Sequence, residues 1–226
     1  MLKNLINLFY PMACAACGDP LSDSEMTACI QCRHDLPFTL HHLNPDNEAF
    51  KKFYGRLPLE HASSLLYFHK KGVVQGLIHN LKYQKRQDVG TMLGQMYAHD
   101  LQQVAALQSV TDVIPVPLHK KRLRRRGYNQ AETFGRALAN GLGVPYRDTL
   151  LLKTANTKTQ TKKNRTERAA SVEDAFSINA GEGLLGRHFL LVDDVMTTGA
   201  TLEACGRALL TLPGARLSVV TMAFAH

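Results

Sequence analysis

Apolar and polar positions along the chain fall into two kinds of block. One kind is short and apolar: "HASSLLYFH" from His61, "VTDVIPVPLH" from Val110, "VPYRDTLLLK" from Val144, "AFSIN" from Ala175, "RHFLLVDDV" from Arg187 and "ARLSVVTMAFA" from Ala215. These read as strands, and an unbroken run such as Phe189–Val192 suits a strand covered on both faces. Pro115 and Pro117 predict that the second strand ends early. The other kind repeats apolar residues three and four apart: "VVQGLIHNLKYQ", "VGTMLGQMYAHDLQQV", "YNQAETFGRALANGLG" and a block from about Gly199 to Leu210. These predict helices, the third closed by Gly141 and Gly143. "LHHLNPDNEAF" reads as a linker, and "TANTKTQTKKNRTERAA", almost without apolar residues, as a mobile loop. Leu2, Leu5, Ile6 and Phe9 predict a short amphipathic helix packed on the body, in preference to a targeting signal. Alternating strands and helices imply an α/β fold with a doubly wound parallel sheet, which takes ligands at the carboxyl ends of its strands.

At one such end the pattern changes abruptly. After Phe189–Val192 stand two carboxylates, Asp193 and Asp194, then Val195, Met196 and the small hydroxyl-rich turn Thr197, Thr198, Gly199, Ala200, Thr201. Side chains alternate along a strand, so the carboxylates splay to opposite faces. A small-residue turn between strand and helix cradles a phosphate with its N–H groups. Carboxylates repel phosphate, so they serve another group: vicinal ribose hydroxyls or a bridging magnesium ion. The implied ligand is a sugar phosphate with free hydroxyls. The competing reading is a plain strand–turn–helix with a solvated acid pair.

Composition adds two signals. The chain has 226 residues, 45% of them apolar, and a net charge of +8, which favours anionic partners. No apolar run approaches the ~18 residues that span a membrane. Four of its five cysteines, Cys14, Cys17, Cys29 and Cys32, form two CxxC pairs eleven residues apart. That is the spacing of a structural, four-thiolate zinc site, with disulfides as the alternative in an oxidising compartment. Gly18 suits a tight knuckle after the first pair. His34, His41 and His42 lie nearby in sequence, but four thiolates already satisfy the ion. Cys205 reads as a small buried apolar residue. Without a convincing export signal, the cytoplasm is the expected location. The metal module is expected over residues 1–45 and the main domain over 46–226.

Six of the seven residues from Lys120 to Arg126 are basic: Lys120, Lys121, Arg122, Arg124, Arg125 and Arg126. They follow a strand and so face the same edge as the acid pair. They suit a pyrophosphate, or a nucleic-acid backbone with Tyr128 available to stack on a base, or merely a solvated surface. A second basic group, Lys158, Lys162, Lys163, Arg165 and Arg168, lies in the polar loop.

The stretch "FLLVDDVMTTGAT" resembles the signature of type I phosphoribosyltransferases that binds phosphoribosyl pyrophosphate (PRPP). There the acid pair binds the ribose 2- and 3-hydroxyls and the turn holds the 5-phosphate. Together with the cysteine module, "LKY" at Leu81–Tyr83 and "IPVPLHKKRLRRRGYNQA" from Ile114, essentially the whole chain resembles the ComF family. Arg126, Gly127, Asn129 and Gln130 match that family's wording, and its flap matches at Gln160, Arg168, Ala175 and Phe176, departing at Lys163 and Ser171. The resemblance implies a type I phosphoribosyltransferase-like domain behind a zinc-ribbon-like module, with PRPP and magnesium as ligands. It also implies a flap that closes over the reacting sugar and a role in natural competence, with single-stranded DNA and DNA-uptake proteins as partners. Glycosyl transfer and a non-catalytic helper or sensor role both remain open, since no motif names an acceptor base.

Overall fold

The computed structural model describes residues 12–153, 175–179 and 183–225. Its central sheet is parallel throughout, with β1 (His61–Tyr67), β6 (Arg216–Phe224), β5 (His188–Met196) and β2 (Asp112–Pro115) side by side in that order. Phe189, Leu190, Leu191 and Val192 are all fully buried, as expected of a strand covered on both faces. The acid pair remains within β5, and Asp193 stands opposite Thr221 of β6. Pro115 is the last residue of β2, and its missing N–H falls on the side away from β5, since Val116 N–H still donates to Val192 O.

The segment from Val144 to Lys153 corrects the expectation of one strand. Tyr146 forms a parallel bridge with Val113 at the sheet edge, and the chain then turns away. β3 (Leu151–Lys153) instead pairs antiparallel with β4 (Phe176–Ile178) in a separate hairpin. The sequence "YRDT" places four polar or half-polar residues between two apolar runs, so one buried strand could not contain both. Residues 154–174, with the predicted flap positions Gln160 and Arg168, lie outside the described residues, as does the predicted helix at Leu2–Phe9.

On one face of the sheet lie α3 (Val73–Tyr83), α4 (Asp88–Leu101) and α6 (Ala131–Leu142). α4 and α6 approach closely because Gly90 and Gly94 face Thr133, Phe134 and Ala137, while Gly141 faces Ala98. On the other face lie α2 (Glu48–Lys51) and α7 (Ala200–Leu209). The segment expected as a linker is ordered and packed. His41 and Asn47 are buried there, and the Asn47 amide donates to the carbonyls of His41, Asn44 and Ala62 while its oxygen caps α2 at Phe50. A buried side-chain amide with all these partners is a structural anchor, which polarity alone does not reveal.

The cysteine segment folds as two knuckles. Cys14 N–H donates to Asp19 O and Gly18 N–H to Cys14 O, with Gly18 at φ +86°. α1 (Ile30–His34) starts on the Cys29 sulfur, which accepts from Cys32 N–H. Cys14, Ala15, Ala28 and Cys32 share one apolar cluster with Val74, Leu77, Ile78 and Leu81 of α3.

Candidate functional site

β2 and β5 are neighbours, yet the chain leaves them on opposite sides. From β2 the next sheet position, Tyr146, lies outward at one edge, while from β5 the next strand, β6, lies the other way. The crevice at their carboxyl ends is therefore a topological switch point, where open α/β sheets bind ligands. The two motifs of opposite charge arrive at this one place, the acid pair and turn from β5 and the basic run from β2.

Strand alternation separates the carboxylates as the sequence predicts. Leu190 and Val192 pack with α3 and α4, and Asp194 shares their face, with the Lys82 ammonium 3.0 Å from its Oδ2. Phe189 and Leu191 pack with α7, and the Asp193 charge is felt at Cys205 on that side. Asp193 Oδ1 accepts from the Asp194 N–H at 2.8 Å. Burial, and then the neighbouring Asp194 charge, push the Asp193 carboxyl up to about 8. Asp194 is buried, and its Oδ2 has the Lys82 charge beside it but, among the described residues, no aligned hydrogen-bond donor. A buried acceptor in that state is costly and has room for a better partner.

Beyond Met196 the turn encloses a hollow of about 50 Å³, lined by Asp193 and Val195–Leu202. Among the described residues, the N–H groups of Thr197, Thr198 and Gly199 make no hydrogen bond. Gly199 sits at φ +76°, which favours glycine, and a Cβ there would stand 3.1 Å from the Phe53 ring and press on it. Arg56 braces the turn from outside: it donates to Thr198 O at 3.1 Å and pairs with Glu203 on α7. Neither Phe53 nor Arg56 was legible as a site residue, because each lies about 140 positions or more from the turn that it supports. Cys205 is fully buried beneath it, as expected of a small apolar residue.

The basic run is a helix, α5 (Lys120–Arg126), started by His119 Nδ1 accepting from Lys121 N–H and closed by Gly127 in the left-handed region. Lys120, Lys121, Arg122, Arg124 and Arg125 are exposed and form no ion pair among the described residues. Arg126 is half-buried: it donates to Gln130 Oε1 at 2.7 Å, and its guanidinium lies 5.4 Å from the Tyr83 ring centre. Asn129 ties the preceding loop by donating to Val116 O. Tyr128 corrects the sequence reading. It is 8% exposed and its hydroxyl donates to Leu81 O, so it is not available to stack on a base. An aromatic side chain in a basic run has the same polarity pattern whether it faces out or in. Between α5 and the β3–β4 hairpin lies a cavity of about 600 Å³, with Leu118, Lys120, Leu123, Tyr146 and Lys153 in its wall.

The four sulfurs of Cys14, Cys17, Cys29 and Cys32 all lie within 4.8 Å of one another, with Cys17 and Cys29 3.9 Å apart. Zn–S bonds of about 2.3 Å in a tetrahedron place sulfurs about 3.8 Å apart, so the set fits a zinc module. The Cys14 sulfur accepts from Ala16 and Cys29 N–H at 3.4 and 3.3 Å. Burial works to raise that thiol, but backbone donors outweigh it and bring it down to about 6. Burial and the neighbouring thiols push Cys32 well above the ordinary range, as expected when sulfurs converge. His34, His41 and His42 do not join the cluster.

Several known proteins are similar to parts of this chain. The phosphoribosyl transferase domain family matches residues 129–225. DNA utilization protein YhgH of Shigella flexneri is 27% identical over 209 residues, 91% of this chain and 87% of that one. Competence protein ComFC of Bacillus subtilis is 40% identical over 100 residues, 43% of this chain and 38% of that one. Among solved structures, the glutamine PRPP amidotransferase of B. subtilis, complexed with ADP and GMP, is similar over 65% of this chain and 30% of its own, at 18% identity and a TM-score of 0.46.

Proposed function

This chain belongs to the ComF family and has a type I phosphoribosyltransferase fold with a four-cysteine module, and we propose that it binds PRPP with magnesium at the crevice between β2 and β5. One observation carries the reading. Among the described residues, a buried carboxylate oxygen without an aligned donor, Asp194 Oδ2, stands beside a turn in which the N–H groups of Thr197, Thr198 and Gly199 make no hydrogen bond. A ligand that presents hydroxyls next to a phosphate satisfies both at once. In this reading Thr197, Thr198, Gly199, Ala200 and Thr201 hold the 5-phosphate, and Asp193 and Asp194 hold the ribose hydroxyls. The α5 cations face the diphosphate. Asp193 and Asp194 would also hold magnesium, which when bound offsets the charge of the diphosphate. Diphosphate leaves the anomeric carbon with negative charge, so cations fixed near it favour that departure. Calorimetric titration with PRPP and magnesium tests the proposal. Binding should require magnesium and should weaken strongly in the double variant Asp193→Asn, Asp194→Asn, by about 1–3 kcal/mol for each charged hydrogen bond removed. Weak heat that is the same in both proteins and independent of magnesium would refute it.

A second reading, compatible with the first, is that the protein handles single-stranded DNA in natural competence, together with DNA-uptake proteins. The exposed and unpaired cations of α5 favour it, and so do the names of the relatives. Backbone phosphates would lie along α5, with affinity falling steeply as salt rises. Cys14, Cys17, Cys29 and Cys32 are proposed to hold one zinc ion that supports residues 1–45 against a phosphoribosyltransferase-like domain over 46–226. Thiolate ligands need reduced cysteines, which fits the cytoplasm. Among the described residues, no helix is long and apolar enough to cross a membrane.

A further inference from the structure

The last turn of α3 touches three separate parts of the crevice. Leu81 O accepts from the Tyr128 hydroxyl, the Tyr83 ring lies under the Arg126 guanidinium, and Lys82 reaches Asp194. The other end of this arrangement is anchored on the cysteine module. Asn80 donates to Ala15 O at 2.8 Å, Arg86 donates to Ala13 O at 2.7 Å, and Gly76 leaves no room for a side chain under Ala16 O. The Lys82 stem is therefore held at a fixed root while its ammonium enters the site.

Lys82 is more than a structural counter-ion. Its side chain is 21% exposed and that of Asp194 8%, so both charges have given up most of their water. Their contact is close but not aligned as a hydrogen bond, and a desolvated pair of that geometry recovers little of its desolvation cost. An ammonium carries three donors on a flexible stem. Arg126, over the ring of the adjacent Tyr83, has its Nε buried without a partner among the described residues, while the rest of that guanidinium is held by Gln130 and Tyr83. Two cations with unspent donors are thus tied to adjacent residues of α3, one of them on Asp194, and the phosphate turn follows that acid pair along the chain. That arrangement suits a ligand that carries hydroxyls between a phosphate and a diphosphate.

We infer that Lys82 is a ligand-binding residue of this site: it holds Asp194 in the free protein and turns to the diphosphate of the bound ligand, beside Arg126, when sugar hydroxyls take over Asp194. The inference rests on the PRPP reading and adds to it the cation exchange that lets an anionic ligand approach a pair of carboxylates. Lys82 would thus neutralise the site when empty and recognise the ligand when full.

Titrations of magnesium with PRPP, and of magnesium with ribose 5-phosphate, into wild type, Lys82→Met and Lys82→Arg test this. Ribose 5-phosphate keeps the phosphate and hydroxyls but lacks the diphosphate. Lys82→Met should weaken PRPP about 10- to 100-fold, the worth of one charge-assisted hydrogen bond. It should leave ribose 5-phosphate unchanged or slightly tighter, and Lys82→Arg should recover most of the loss. An equal loss for both ligands would show that Lys82 only shapes Asp194 and would overturn the inference, as would no loss for either. Failure of the wild type to bind PRPP would instead bring down the parent reading. Should Lys82→Met not fold, Lys82→Gln takes its place with the same expected split.

Discussion

Asp193 is half-buried beside an immediate like-charged neighbour, and its carboxyl is pushed up to about 8. The folded value lies above the unfolded value of about 4, so the folded state holds the extra proton. The stability this contributes is complete below about pH 4 and is lost as pH rises through about 8. Asp193→Asn should remove that slope, which is at most about 1.4 kcal/mol for each pH unit between the two values, and so make the protein more stable than wild type at pH 8, as measured by thermal or urea unfolding at pH 5 and 8. Equal slopes in the two proteins would refute the assignment. The same residue-scale logic applies to Gly199. Gly199→Ala meets both the left-handed dihedral and the Phe53 ring, and should cost about 1–3 kcal/mol and weaken ligand binding through the displaced turn. At this scale the acid pair and turn were legible, because like charges at the end of a buried run contradict ordinary burial. Lys82, Arg56 and Phe53 were not, since their contacts bring together residues more than 100 positions apart. "LKY" stood out only by family resemblance, and its three contacts now give it a physical meaning.

α5 is seven residues long and places like charges four apart three times, at Lys120 and Arg124, Lys121 and Arg125, and Arg122 and Arg126. Each such pair costs a helix about 0.2–0.5 kcal/mol. The helix persists through its His119 and Gly127 caps, and an anion lying along it would relieve the repulsion. Arg124→Ala with Arg125→Ala should therefore lower single-stranded DNA affinity and reduce the magnitude of the log–log salt slope by about 0.7 for each phosphate no longer neutralised, read by anisotropy across a salt series. Unchanged affinity at low salt would exclude α5 as the track. Elements were otherwise readable wherever a single periodicity ran unbroken, as in β5, β6 and α6. Between Val144 and Lys153 one apolar pattern covers an edge bridge and a separate hairpin, which periodicity does not distinguish. From Leu40 to Phe50 a buried asparagine and histidine have the polarity of loop residues, and only their packing sets them apart.

Across the whole molecule, the order of strands decides where the chemistry lies. Sequence alone placed both charged motifs at carboxyl ends of strands, but only the pairing of β2 with β5 makes those ends adjacent. The cysteine module bears on the same place, since Cys14, Ala15, Ala28 and Cys32 pack in the cluster that includes α3. Cys29→Ser should lower the zinc content from about one ion per chain, destabilise residues 1–45 to proteolysis, and weaken PRPP through loosening of the Lys82 root. Elemental analysis with limited proteolysis reads the first two effects independently of binding, and full zinc with native resistance would refute the site. The most direct measurement of the central claim is a crystal structure of the protein grown with PRPP and magnesium. The 5-phosphate should lie in the hollow between Thr197 and Thr201, the ribose hydroxyls within hydrogen-bond distance of Asp193 and Asp194, and the diphosphate toward Lys82 and Arg126. Bound PRPP lying away from the crevice between β2 and β5, or a phosphate turn empty at saturating ligand, would contradict it.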